Sequence, residues 1–243
     1  MKRPILVLLL TAMAALAGCT PFSEDVAKKA SAAGDPSNVT QVSSPADVSA
    51  PLVDPSTGRI IRNYGPTIKR YAERYGFDWR LVLAVMKQES RFVHHAESHK
   101  GATGLMQIMP VTEEEVARKL ELDDLSHPEN NIRGGIFYLK QLYASFDAAN
   151  EADRLKLTLA AYNAGVSRVS DAQEVAGYLH ENATEWQSVK DALPLLSKRF
   201  QTLHRQVWQQ DRPKSGWFGN AKQTIAYVES VMGYYDEYRM VLN

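Results

Sequence analysis

Glu89 is the residue whose placement first points to chemistry. Val82, Val85 and Met86 precede it by seven, four and three positions, so in a helix all four share one face. A carboxylate among apolar neighbours is disfavoured as an anion, and its pKa rises. A carboxylic acid still protonated near neutral pH is what glycosidic bond cleavage requires of its general acid. On the helix alone, a Glu that ends the helix and turns to solvent fits better, because helix-end Glu is common. Ser90 reads as a structural hydrogen-bonder, since no Ser-His-Asp arrangement recruits it. His94, His95 and His99 lie close to Glu97. Their spacing matches no strong metal motif such as His-Glu-x-x-His, and a solvated loop accounts for them, so neither metal nor cofactor is implied.

The elements that must carry these residues read as helices. Asp78 can cap a helix whose apolar residues include Trp79, Val82, Val85 and Met86. Thr112 with Glu115 has the spacing of a capping box opening a helix through Leu120, and Glu113 and Glu114 suit its positive end. Asn131 precedes the stripe Ile132, Ile136, Leu139 and Tyr143; Leu155, Leu159 and Tyr162 form the next, which Gly165 can stop. Thr184 with Gln187 resembles a second capping box. Ile225, Val228, Met232, Tyr235 and Leu242 mark a C-terminal helix. Only the stretch around Gly104 to Ile108 suggests extended structure. The expected class is all-α or nearly so.

Around Glu89 the sequence carries an ordered set of blocks. Gln88-Glu89-Ser90-Arg91-Phe92 is followed by Ser98, nine residues after the Glu, and then by Gly101-Ala102-Thr103-Gly104-Leu105-Met106-Gln107-Ile108-Met109-Pro110. Asn130-Asn131-Ile132-Arg133-Gly134-Gly135 with Tyr138-Leu139 forms a second block, and Ala160-Ala161-Tyr162-Asn163-Ala164-Gly165 a third. Together they resemble the SLT-type lytic transglycosylases of the goose-type lysozyme superfamily, and three ordered blocks are far more specific than a lone motif. Val169-Ser170-Asp171-Ala172, Trp186 with Val189-Lys190, Leu193-Pro194-Leu195-Leu196 and Tyr227-Val228 extend the likeness. They resemble the catalytic half of the membrane-bound lytic transglycosylase F family. That family carries a solute-binding-protein-like domain before its catalytic half. Here only a short tether precedes it, so regulation through such a domain is not expected. Gln223-Thr224 stands where many SLT domains have Glu-Thr, which puts a sugar contact in doubt.

The resemblance implies a lysozyme-like, mainly helical fold and a substrate of peptidoglycan glycan strands. The reaction implied is cleavage of the β-1,4 bond between N-acetylmuramic acid and N-acetylglucosamine. The muramic acid 6-hydroxyl closes onto its own anomeric carbon, and Glu89 serves as acid and then base. It casts Ser98, Gly101, Met106, Gln107, Tyr162 and Asn163 as substrate-binding. Alternatives stand beside several of these. Ser98 suits a turn, Gly101 and Gly104 a tight turn, and Met106 the core. Tyr162 buries its ring but can direct its hydroxyl to Glu89 or substrate, and Asn163 can cap a helix end. Trp208, Trp217 and Phe218 either line a glycan cleft or pack the C-terminal helix. No second acid sits in the matching blocks, which favours the transglycosylase over a hydrolysing muramidase, and intact Glu89, Ser98, Gln107 and Tyr162 argue against a binding lipoprotein with a dead cleft.

The N-terminus reads as an address. Lys2 and Arg3 precede the apolar run Ile5 to Leu16, shorter than the roughly 20 residues that span a membrane and suited to a signal peptide. Leu16-Ala17-Gly18-Cys19 resembles a bacterial lipobox, which implies a signal peptide over 1–18 and a lipid on Cys19, the chain's one cysteine. Thr20 in place of Asp favours, by the enterobacterial sorting rule, the periplasmic face of the outer membrane. Residues 19–58 hold five of the eleven prolines and one aromatic residue, Phe22. Such a stretch cannot bury enough apolar surface to fold and reads as a tether to a catalytic domain over 59–243. One cysteine excludes an internal disulfide framework. A formal charge of zero argues against nucleic acid as a partner.

Overall fold

The computed structural model describes residues 53–243. The apolar run, Cys19 and the proline-rich segment up to residue 52 lie outside the described residues. As expected, the described residues are helical: α1 (Pro55–Tyr75), α2 (Trp79–Ser90), α3 (Pro110–Leu120), α4 (Pro128–Ala144), α5 (Glu151–Ala164), α6 (Val166–Tyr178), α7 (Trp186–Ala192), α8 (Gln201–Trp208) and α9 (Ala221–Val241), with two short 3-10 turns between α7 and α8. Extended pairing among them is confined to isolated bridges, Glu97 with Thr103 and Thr103 with Ile108, at the segment where the sequence suggested it.

α2 is the axis of the core. Leu81 through Met86 are all buried, so the helix is enclosed on every side rather than along one stripe, as a helix apolar all round must be. It packs most extensively on α9, with α1 beside it, and α5 also packs on α9. Asp78 caps α2 as read: it accepts from the Arg80 amide at 2.9 Å and pairs with the Arg80 guanidinium at 2.7 Å. Tyr235 donates to the same carboxylate at 3.1 Å and ties the start of α2 to α9.

Four local expectations need correction. The folded part begins before residue 59: Asp54 caps α1 by accepting from Ser56 and Thr57 amides. Pro55 fills the first turn, where a missing N–H costs nothing, and Thr57 is buried with its hydroxyl 3.0 Å from that of Tyr238. α3 begins at Pro110, which places Thr112 inside the helix and not at a cap. α4 begins at Pro128, so Asn131 is a buried helix residue. α7 begins at Trp186 without a side-chain cap; Thr184 instead donates to Asn182 and Gln187 to Asp191. Gly165 ends α5 as expected, at φ 91°, a conformation that favours glycine.

Candidate active site

The end of α2 sets the position of Glu89. Arg91 and Phe92 adopt φ of 49° and 66°, which turns the chain sharply away after Ser90. The Ser90 hydroxyl lies 3.1 Å from the Met86 carbonyl and 2.9 Å from that of Leu105, and it accepts from the Phe92 amide. This is the structural role its sequence suggested. It fastens the helix end to the segment Gly101–Pro110. Two further elements hold that segment. Asn131 of α4 accepts from the Met106 amide at 2.8 Å and donates to the Thr103 carbonyl at 3.1 Å. Tyr162 of α5 donates to the Met106 carbonyl at 2.7 Å. Buried backbone groups outside regular structure need such partners.

Glu89 lies where two cavities meet. One, of about 400 Å³, is walled by Ser98, Gln107, Tyr162, Arg168, Trp217 and Gln223 among others. The second, of about 300 Å³, is walled by Gln88, Tyr227 and Ser230 among others. Glu89, Asn163 and Gln223 belong to both walls. Burial pushes the Glu89 pKa from 4.5 up to about 7, against the opposing effect of a hydrogen bond from Tyr227. That bond, from the Tyr227 hydroxyl to Glu89 Oε1, is 2.6 Å long. Burial also raises the Tyr227 pKa well above its ordinary value, so the hydroxyl remains a donor. Among the described residues lining the two cavities, Glu89 is the one carboxylic acid. Glu97 faces a different cavity, with His94, His95 and Glu113.

The structure distributes the remaining sequence candidates unevenly. Ser98 borders the larger cavity, and its hydroxyl accepts from the Lys100 and Ala102 amides, so it makes the turn and faces the cleft at once. Gln107 borders the cavity while donating to the Ala96 and Gly104 carbonyls. Asn163 accepts from the Thr224 hydroxyl at 2.8 Å, which joins α5 to α9 rather than capping α5. Gly101, at φ 80°, is the turn itself and lies off the cavity wall. Met106 requires correction: its side chain is fully buried and packs where a Cβ on Gly135 would come within 2.6 Å of it. It fills the core and cannot line the cleft. The Tyr162 hydroxyl is committed to Met106, although its ring borders the cavity. Trp208 and Phe218 are buried, whereas Trp217 is exposed at the cavity wall.

Tyr227 and Asn131 are the functional placements that sequence reasoning did not single out. The available signal for Tyr227 was its place on the buried face of α9, since a buried tyrosine must find a partner for its hydroxyl. For Asn131 it was Pro128, which opens the helix early enough to bury an amide.

Residues 66–184 match the family model described as the transglycosylase SLT domain. The chain is 36% identical over 174 residues to a membrane-bound lytic murein transglycosylase F from Desulfosudis oleivorans, covering 71% of this chain and 36% of that protein. It is 35% identical over 176 residues to the protein of the same name from Shewanella pealeana, covering 71% and 33%. It thus spans about a third of the length of these relatives. Among solved structures, an inactive mutant of lytic transglycosylase Slt from Pseudomonas aeruginosa superimposes with a TM-score of 0.53 and 28% identity, over 76% of this chain and 25% of that one.

Proposed function

We propose that the chain, whose residues 66–184 match the transglycosylase SLT domain model, is a peptidoglycan lytic transglycosylase that uses Glu89 as its one acid and base. The observation that carries this reading is a single buried carboxyl group, with a pKa raised to about 7, at the junction of two cavities that hold no second carboxylic acid among the described residues. A glycan strand threaded through both cavities brings one β-1,4 bond over Glu89. The protonated carboxyl gives its proton to the leaving oxygen of N-acetylglucosamine. The 2-acetamido group of N-acetylmuramic acid stabilises the anomeric carbon, as in substrate-assisted glycosidases. The Glu89 carboxylate then takes the proton of the muramic acid 6-hydroxyl, whose oxygen closes onto that carbon. The products are an N-acetylglucosamine end and a 1,6-anhydro end, and no water is consumed.

The environment of Glu89 suits both halves of this cycle. Burial keeps the acid protonated for the first step, and the Tyr227 hydroxyl steadies the carboxylate between the steps. Ser98, Gln107 and Asn163 present polar groups to the sugars, and the turn at Gly101 shapes the loop that bears them. Tyr162 holds that loop through the Met106 carbonyl. Lys100 and Arg168 bring positive charge to the larger cavity, which suits a polymer bearing carboxylates. The lipobox-like Cys19 would anchor the chain by lipid to the periplasmic face of the outer membrane, with two acyl chains sufficing for stable attachment. Among the described residues no helix is long and apolar enough to cross a membrane.

The test of the catalytic reading is clearance of purified sacculi by the full chain and by Glu89→Gln. That variant keeps size and removes the proton donor, so its rate is expected to fall about 10²–10⁴-fold. Clearance near the wild-type rate would remove Glu89 from the role.

A further inference from the structure

Beyond the three motif blocks, the segment between α8 and α9 forms part of the wall of the larger cavity, and it carries an exposed aromatic ring. Trp217 is 36% exposed and borders the cavity, while its neighbour Phe218 is only 7% exposed. The segment does not need Trp217 for its own attachment. The buried Asp171 of α6 accepts from both the amide and the hydroxyl of Ser215. Glu174 accepts from Trp208 and Lys214, and the Phe218 amide donates to the Leu196 carbonyl at 3.1 Å. The ring is nevertheless held from behind. The His204 ring, fully buried, lies 5.3 Å from Trp217 and 5.6 Å from Trp208, and its Nε2 is fixed 2.7 Å from the Leu195 carbonyl. On either side of the Trp217–Phe218 pair, a Cβ at Gly216 or at Gly219 would meet nothing within 4 Å. An apolar ring that is backed by a buried side chain, flanked by open space at both neighbouring glycines and set at a polar cleft is a preorganised binding surface.

We infer that Trp217 is a stacking platform for a sugar ring bound in the larger cavity, a saccharide-binding site residue that acts on binding and not on bond cleavage. The inference rests on the proposed function for its substrate class. Pyranose rings present a face of C–H groups, and that face stacks on an indole while its hydroxyls remain available to Ser98, Gln107 and Asn163. Losing such a contact is expected to weaken binding about five- to tenfold, about 1–1.4 kcal/mol.

The experiment compares Trp217→Ala and Trp217→Phe with wild type in full-length protein. Initial rates on purified sacculi separate KM from kcat. Trp217→Ala is expected to raise KM about five- to tenfold with kcat within about twofold, and Trp217→Phe to stay within about twofold in both. In parallel, chitotetraose is titrated into Glu89→Gln, which cannot turn it over, with intrinsic fluorescence and calorimetry as readouts. The fluorescence change should vanish in the Glu89→Gln, Trp217→Phe double variant although calorimetry still detects binding. An unchanged KM in Trp217→Ala, or a fluorescence change that persists without Trp217, overturns the platform. A wild-type chain inactive on sacculi whose Trp217 signal still responds to chitotetraose overturns the catalytic reading and upholds the platform. Absence of binding by calorimetry overturns the platform.

Discussion

Removing the Tyr227 hydroxyl should move the pH dependence of the enzyme in a direction the geometry dictates. On the proposed mechanism cleavage needs Glu89 protonated in the free enzyme, so kcat/KM should fall with rising pH through the Glu89 pKa of about 7. Tyr227 lowers that pKa, because its 2.6 Å hydrogen bond favours the carboxylate over the acid. A hydrogen bond to a charged acceptor is worth about 1.5–3 kcal/mol and one to a neutral acceptor about 0.5–1.5. The difference, about 1–1.5 kcal/mol, is about one pKa unit. In Tyr227→Phe the alkaline limb should therefore rise to about pH 8, while the maximal rate falls because the carboxylate formed after proton transfer has lost its partner. The assay is release of soluble fragments from sacculi at subsaturating substrate between about pH 5 and pH 9. A limb that stays at the wild-type position, or moves down, would refute the coupling. Tyr162→Phe supplies the contrast: it breaks the bond to the Met106 carbonyl and should lower the rate by loosening the loop with a smaller displacement of the limb.

Other expectations concern stability and packing. The Glu89 pKa is raised on folding, so its stabilising contribution relative to the ionised form is complete below about pH 4.5 and lost as pH rises through about 7. Glu89→Gln should thus be more stable than wild type by about 3 kcal/mol at pH 8 and about equal to it at pH 4, as urea unfolding at the two pH values would reveal; a gain of the same size at both would contradict the assignment. Asn131→Ala leaves the buried Met106 amide without its acceptor and should cost about 1–3 kcal/mol, measurable by the urea midpoint. Gly135→Ala would drive a Cβ to 2.6 Å from the buried Met106 side chain and should destabilise by about 1–3 kcal/mol, lowering Tm by several degrees.

What the residues disclosed in advance follows the range of the interactions involved. Asp78, Gly165 and the helical class were legible because caps and periodicity are local. Glu89 was legible as a candidate because three ordered motif blocks follow it, the first ending within about 21 positions of it and the last at Gly165. The capping-box readings at Thr112 and Thr184 failed because a proline or an Asx turn nearby set the helix start instead. Met106 could not be assigned from sequence, since thioether side chains serve cores and clefts alike; the close approach of Gly135 decides it. Tyr227 reaches Glu89 across 138 positions, and no local pattern reports a contact of that span. Trp217 and Trp208 differ in exposure, which depends on how α6 and α8 pack and not on sequence alone.

The most direct test of the central claim is the chemical form of the new sugar ends. Purified peptidoglycan is digested with the full chain, and the released muropeptides are weighed by mass spectrometry. Single-acid cleavage through Glu89 predicts muramic acid ends that lack one water, the mass of the 1,6-anhydro ring. Ends carrying the mass of an ordinary reducing sugar would contradict it, since water would then be the acceptor and a second activating group would have to exist beside Glu89.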